Sequence, residues 1–214
     1  MARTQAFDTG AAVRAAREVF WRDGFESAAL PALERATGLS RSSIYNTFGS
    51  KQGLFERAVA SYLDEVVRPR LAPLLADEVD PGALAAYLTG LRAVLADERT
   101  TSARHGCLLM SAAGAPIGRD DVVRAAVADY RAELRRAIGR GVDARDPAHG
   151  TSPDPADPAP EASGGGRSAA WRGAVADAVS ALVLAALALV RIDRGEALRS
   201  LDAALVLVDG PVGT

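Results

Sequence analysis

Leu39-Ser-Arg-Ser-Ser-Ile-Tyr-Asn-Thr-Phe-Gly-Ser-Lys51 reads as a short helix with a capped start, two inward anchors and an outward polar face. Ser40 stands where an N-cap belongs, its hydroxyl placed to accept a backbone N–H of the first turn. Leu39 and Ile44 occupy the two positions of a hydrophobic staple. Ile44 and Phe48 are four apart and share one face. Arg41, Ser42, Ser43 and Asn46 point away from that pair. A helix with so little apolar surface needs a scaffold to hold it out. Its polar face suits the base edges and phosphates of a DNA major groove.

The preceding residues supply such a scaffold. Ala12, Ala16, Val19 and Phe20 form an apolar stripe at helical spacing, with Gly24 as its stop. Ser27 is placed to cap a second helix whose Leu30, Leu33 and Ala36 face inward and which ends at Gly38. Pro31 falls at the edge of its first turn, where a missing N–H costs least. Helix, glycine-containing turn and short exposed helix together make a helix-turn-helix, at about residues 29–48. Ser50 then caps a further helix carrying Leu54, Phe55, Ala58, Val59 and Tyr62.

Three linked stretches make the pattern specific: Phe20-Trp-Arg-Asp-Gly-Phe-Glu-Ser27, Ala36-Thr-Gly-Leu-Ser40, and Ser43-Ile-Tyr-Asn-Thr-Phe-Gly-Ser-Lys-Gln-Gly-Leu-Phe55. In order and spacing they resemble the amino-terminal domain of TetR/AcrR-family transcriptional regulators over roughly residues 6–66. The resemblance implies that Arg41, Ser42, Ser43 and Asn46 meet bases and nearby backbone, and that Tyr45, Thr47 and Lys51 grip phosphates. Thr47 stands where His or Tyr is common in the family. A half-buried ring packed between helices is the alternative for Tyr45. The resemblance further implies a dimer on a palindromic double-stranded operator, released by a small-molecule effector. Residues 67–214 would form the ligand-binding and dimerisation domain.

Lys51 is the only lysine in a chain whose other basic side chains are arginines. A point charge there reaches phosphate, whereas a lysine at a helix start is mildly opposed by the dipole. Residues 1–60 hold eight basic and six acidic side chains, against a net charge of −2 for the whole chain. That asymmetry fits a DNA-reading head on an acidic body. Arg3 is either a minor-groove arm or a solvated terminus.

Beyond residue 66 the periodicity stays helical. Leu84, Leu88, Leu91 and Leu95 follow Asp80-Pro-Gly; residues 106–113 make a short apolar helix; Val123, Val127, Tyr130, Leu134 and Ala137 mark a longer one. Residues 171–192 and 195–208 form two closing helices, and no segment alternates as a strand would. The expected fold is all-α. Residues 144–168 hold many prolines and glycines and no large apolar side chain, which predicts a flexible loop containing an idle His149. Val175, Val179, Leu182, Val183, Ala186, Leu189 and Val190 cover most of a helix circumference, and Leu201, Leu205 and Val208 add a stripe. These predict a homodimer through residues 171–208, with a central helix buried by its own chain as the alternative.

The run 178–190 is short of the ~20 apolar residues that cross a bilayer, and residues 1–8 do not resemble a signal peptide. The expectation is a cytoplasmic protein with no membrane partner. Cys107 is the single cysteine. A place near a helix start favours its thiolate, and Gly106-Cys-Leu-Leu109 is similar to a stretch in some TetR/AcrR members, a few of which respond to electrophiles or oxidants through that cysteine. The competing reading is a small buried hydrophobe. His105, Cys107 and Met110 lack zinc spacing, so no metal is expected. Two histidines and the absence of a phosphate loop or nucleophile elbow argue against an enzyme, and no cofactor is expected. Tyr87, Met110 and Tyr130, with Cys107, are the candidate effector contacts. Three readings remain open: a ligand-released repressor, a thiol sensor acting through Cys107, and a helical ligand-binding protein without DNA binding.

Overall fold

The computed structural model describes residues 8–146 and 168–209, and every regular element among them is helical. In chain order these are α1 (Thr9–Ser27), α2 (Leu30–Thr37), α3 (Arg41–Phe48), α4 (Lys51–Tyr62), a π-helical turn (Leu63–Val67), α5 (Arg68–Leu75) and α6 (Ala83–Ala96). There follow α7 (Thr101–His105), α8 (Leu108–Ala113), a 3-10 turn (Pro116–Arg119), α9 (Asp121–Ala144), α10 (Ala169–Leu189) and α11 (Arg194–Asp209). The chain divides into two compact units: one of residues 1–69 with 105–130, the other of 70–104 with 131–214.

The first unit is organised by aromatic packing. Phe20 meets Phe55 edge-on at 5.1 Å between ring centroids, Phe25 lies 5.2 Å from Phe55, and Trp21 meets Tyr62 edge-on at 4.8 Å. Phe20, Leu33, Ile44, Leu54 and Phe55 are fully buried, so α1, α2, α3 and α4 share one core. Arg17, itself buried, ties α1 to the end of α4 through Ser61 Oγ at 3.0 Å and to the turn after it through Glu65 at 2.9 Å. That guanidinium holds the Glu65 carboxyl below its ordinary range.

Two local expectations change. The path of α1 kinks at Gly24, whose φ of 76° only glycine adopts readily. The chain then runs extended before α2, so Ser27 is not a cap. Ala29 takes that position without a side-chain hydrogen bond, and Pro31 sits in the first turn, where its missing N–H is harmless. The second change concerns α10, which spans 21 residues and is long and apolar enough, by length and composition, to cross a membrane. Its setting is that of a packed helix. Val175, Val179, Val183 and Ala186 are buried. Arg172 pairs with Asp143 on α9 and with Asp146 just beyond it, and Asp177, on the opposite side of α10, pairs with Arg135 on α9.

The second unit packs α6 and α10 against α11. Leu84, Leu88 and Leu95 are fully buried, as are Leu201 and Ala204 on α11. Arg92 and Asp202 pair across α6 and α11. The close approach of α9 is made at Gly141, where a Cβ would lie 2.8 Å from both Leu74 and Leu84. Most of the expected loop, together with Arg3 and His149, lies outside the described residues. Its inner edge is anchored, since buried Asp146 accepts from Arg172 at 2.9 Å.

The tightest backbone approach in the first unit is at Gly53, where a Cβ would sit 2.1 Å from the carbonyl oxygen of Phe48. Backbone cannot yield as a flexible side chain does. Gly53→Ala is therefore expected to destabilise by about 1–3 kcal/mol, lowering the thermal midpoint by several degrees in a calorimetric scan; an unchanged midpoint would contradict this packing.

Candidate nucleic-acid interface

The helix-turn-helix is α2, a three-residue turn and α3. Gly38 supplies the left-handed turn residue at φ 69°, donating its N–H to Glu34 O at 2.9 Å. Thr37 closes the turn, its hydroxyl accepting from Leu39 N at 3.2 Å. Leu39 is buried beneath the turn and Ile44 is fully buried on the inner face of α3, as the staple requires. Phe48 is partly buried.

The start of α3 is satisfied twice. Ser40 Oγ accepts from Ser43 N at 3.2 Å, and Glu34, reaching from α2, accepts from Arg41 N at 2.6 Å. Ser40 Oγ also lies 2.9 Å from the hydroxyls of Ser42 and Ser43. No sequence signal points to Glu34. The Glu-x6-Arg separation crosses a turn, so its meaning depends on the fold that closes it.

Arg41, Ser42, Tyr45, Asn46 and Thr47 form one exposed face, with Ser43 at its edge. Tyr45 is 38% exposed, and the Arg41 guanidinium lies 5.7 Å from its ring centroid. Stacking of that kind limits the rotamers of an arginine that would otherwise wander. No acidic side chain belongs to this helix, so its exposed face carries hydroxyls, an amide and one cation.

Lys51 stands apart from that face. Its ammonium sits 4.7 Å from the Phe25 ring centroid and donates to Glu26 O at 3.4 Å. Burial lowers its pKa, with Glu26 opposing the shift. The lysine thus holds the first turn of α4 to the end of α1 while keeping its charge at the edge of the head.

The other candidates occupy different places. Cys107 is buried at the N-cap position of α8. Burial pushes its thiol up from the ordinary range; hydrogen bonds involving Tyr62, the Met110 and Leu109 backbone and Tyr130 pull the other way with less effect. The helix-dipole argument for a thiolate is outweighed by desolvation. Tyr130 is buried and Met110 partly buried in the same unit, whereas Tyr87 is on α6 in the other. An open cavity of about 580 Å³ in the second unit is lined by Asp77, Glu78, Val79, Arg140, Asp143, Ala144 and Asp146, and includes none of the four candidates.

The chain is similar to known proteins in part of its sequence and in its fold. Residues 12–58, which contain α2, α3 and most of α1 and α4, match the family of bacterial regulatory proteins, tetR family. The chain is 30% identical over 110 residues to the HTH-type transcriptional repressor ComR of Escherichia coli (strain K12), covering 51% of each protein. It is 42% identical over 64 residues to the uncharacterized HTH-type transcriptional regulator YezE of Bacillus subtilis (strain 168), covering 30% of this chain and 33% of that one. The chain thus spans about half the length, or less, of the curated relatives it matches. Among solved structures, a cysteine mutant of the TetR family transcriptional regulator CifR, complexed with 26-bp double-strand operator DNA, superposes with a TM-score of 0.70. The identity is 26%, covering 98% of this chain and 100% of that one.

The thiolate is the reacting form of cysteine, so a buried thiol with a raised pKa must wait for local opening. A chromogenic disulfide reagent at neutral pH is expected to modify native Cys107 at least about a hundredfold more slowly than in denaturant. Because the folded state keeps this proton to higher pH than the unfolded chain, stability falls as pH rises above ~8.5. The thermal midpoint should therefore decline more steeply there in the unsubstituted protein than in Cys107→Ala. Fast native labelling and matching slopes would count against a buried, inert thiol.

Proposed function

We propose that this chain, a member of the TetR family of bacterial regulatory proteins, is a dimeric transcriptional repressor that binds a palindromic double-stranded operator and is released by a small-molecule effector. The observation that carries the reading is the exposed polar face of α3, held by a buried Ile44 and a doubly satisfied helix start. Arg41 is its base-reading side chain, with Ser42, Ser43 and Asn46 beside it. Tyr45, Thr47 and Lys51 contact phosphates. Residues 6–66 serve as the DNA-binding domain and 67–214 as the effector-binding and dimerisation domain. An operator reader of this kind works in the cytoplasm, where the DNA is, and needs no catalytic group.

Dimerisation through residues 171–208 is supported by what α10 and α11 leave exposed. Trp171 is 36% exposed, Val206 70% and Leu207 40%, with Ile192 between the helices at 84%. Trp171 and Leu207 line one small cleft beside exposed Val206, and large apolar side chains exposed together mark an interaction surface. Two-fold pairing there would present two copies of α3, and successive major grooves are read by helices about 34–36 Å apart. Leu207→Glu is expected to shift the protein toward monomer in sedimentation analysis; an unaltered dimer would place the interface elsewhere.

The DNA contacts are tested on duplexes selected from a random pool. Loss of one bidentate arginine–guanine pair costs about 1–3 kcal/mol of discrimination, so Arg41→Ala should relax preference at one base pair per half-site. Lys51→Ala should weaken all duplexes alike and reduce the salt slope by about one unit for each phosphate left without its cation. If both variants bind every duplex as the unsubstituted protein does, these roles are misassigned. Failure of the unsubstituted protein to select any sequence would defeat the reading as a whole.

A further inference from the structure

Among the side-chain hydrogen bonds that join residues 105–130 to the helix-turn-helix head, three span long stretches of sequence. Trp21 Nε1 donates to Gly106 O at 2.9 Å, Glu26 Oε1 accepts from Ile117 N at 2.8 Å, and Gln52 Nε2 donates to Asp120 Oδ2 at 2.9 Å. The third differs from the others because each of its ends belongs to a helix start. Asp120 caps α9, its Oδ1 accepting from Val122 N at 3.0 Å and Val123 N at 3.2 Å. Gln52 lies in the first turn of α4, beside Ser50, whose hydroxyl accepts from Gly53 N at 2.9 Å.

The Gln52 amide also donates to Glu56 Oε1 at 3.1 Å. Both of its hydrogens therefore go to carboxylates. That fixes which way the amide points, since its oxygen would be repelled by either partner. A neutral double donor thus bridges two like charges and links two helices.

Immediately beside this bridge α4 and α9 are not interdigitated. An apolar groove of about 210 Å³ runs between Val59, Ala60 and Leu63 on one side and Val122, Val123 and Ala126 on the other. Protein interiors are otherwise close-packed, so here the spacing of the two helix starts depends on the polar bridge more than on packing. Any displacement of α4's first turn is carried into α3, because Gly53 abuts the last carbonyl of that helix.

We propose that Gln52 and Asp120 are positioning residues for operator binding: they latch the starts of α4 and α9 together and thereby set where α3 is presented. The proposal rests on the DNA-binding reading above. It assigns to the amide and the carboxylate a role separate from DNA contact, and it places the adjustable joint at one end of the groove.

The test uses the full chain and an operator selected from random duplexes. Gln52→Leu removes the bridge and leaves the α9 cap. Asp120→Asn keeps an acceptor for the Val122 and Val123 N–H groups but turns an N–H₂ toward the Gln52 amide. Each is expected to weaken operator binding about tenfold, the scale of one charge-assisted hydrogen bond. The double variant should be no weaker than the weaker single one, as for two ends of one interaction. Discrimination against a duplex with one base pair inserted between the half-sites should also fall. That ratio is insensitive to a smaller folded fraction, so general structural damage does not imitate the result. Unchanged affinity and spacing preference in the single variants, or effects that multiply in the double variant, would overturn the latch. If the unsubstituted protein selects no duplex, the DNA-binding reading fails first and the latch falls with it.

Discussion

The contact between Gly53 and the carbonyl of Phe48 is the constraint on which the placement of α3 depends. A helix of eight residues is too short to persist by itself, and α3 contributes one fully buried side chain, Ile44, to the core. Its position is set at both ends by neighbours. At the start, Ser40 and Glu34 satisfy its first N–H groups. At the finish, Gly49 takes φ 76° and the chain turns so sharply that the next helix begins against the backbone just left. Only a residue without a Cβ permits that approach, and it makes α3 and α4 one mechanical piece.

Most of the head is legible in the sequence because its signals are local. Caps at Ser40 and Ser50, the glycine at 38 and the Ile44 anchor each act within a few residues, and all of them stand where the pattern puts them. Ser27 misleads because the capping pattern is also met by a serine at the end of the preceding helix; the local sign of the later start of α2 is Pro31, since proline favours the first turn. The length of α10 is understated by its densest apolar run for a related reason. That run stops at Asp177, whereas the helix extends on through Arg172, and both charges are balanced by acidic and basic partners on or beside α9.

Contact between segments distant in the chain is not legible. Gln52 and Asp120 are 68 residues apart, and Glu26 and Ile117 are 91 apart. No periodicity relates them. Asp120 is readable as a helix-start charge, which it is, but its second oxygen has a role that only the fold reveals. Gly53 belongs to a motif whose spacing gives no reason for a glycine; the reason is a backbone approach that sequence cannot display. The face of α3 is recognisable as polar, while the stacking of Arg41 on Tyr45 emerges only in three dimensions.

Cys107 shows how two sound local arguments are ranked by a third that is not local. A helix start stabilises a thiolate by roughly the dipole's 0.3–1 kcal/mol when exposed, and an apolar sequence context suggests burial without giving its degree. Full burial beside Tyr62 and Tyr130 decides the contest, since desolvation acts on the whole charge and the surrounding donors offset it only in part. The same ranking governs Lys51 in a milder form. There the ammonium is only partly withdrawn from water and rests on the Phe25 ring and a carbonyl, partners that suit a cation. A charge placed so is held at the border between core and solvent while it fastens α4 to α1. That seat suits a lysine in a chain that otherwise uses arginine: a compact ammonium on a flexible stem fits over a ring at a helix start, where a broad planar guanidinium would need more room.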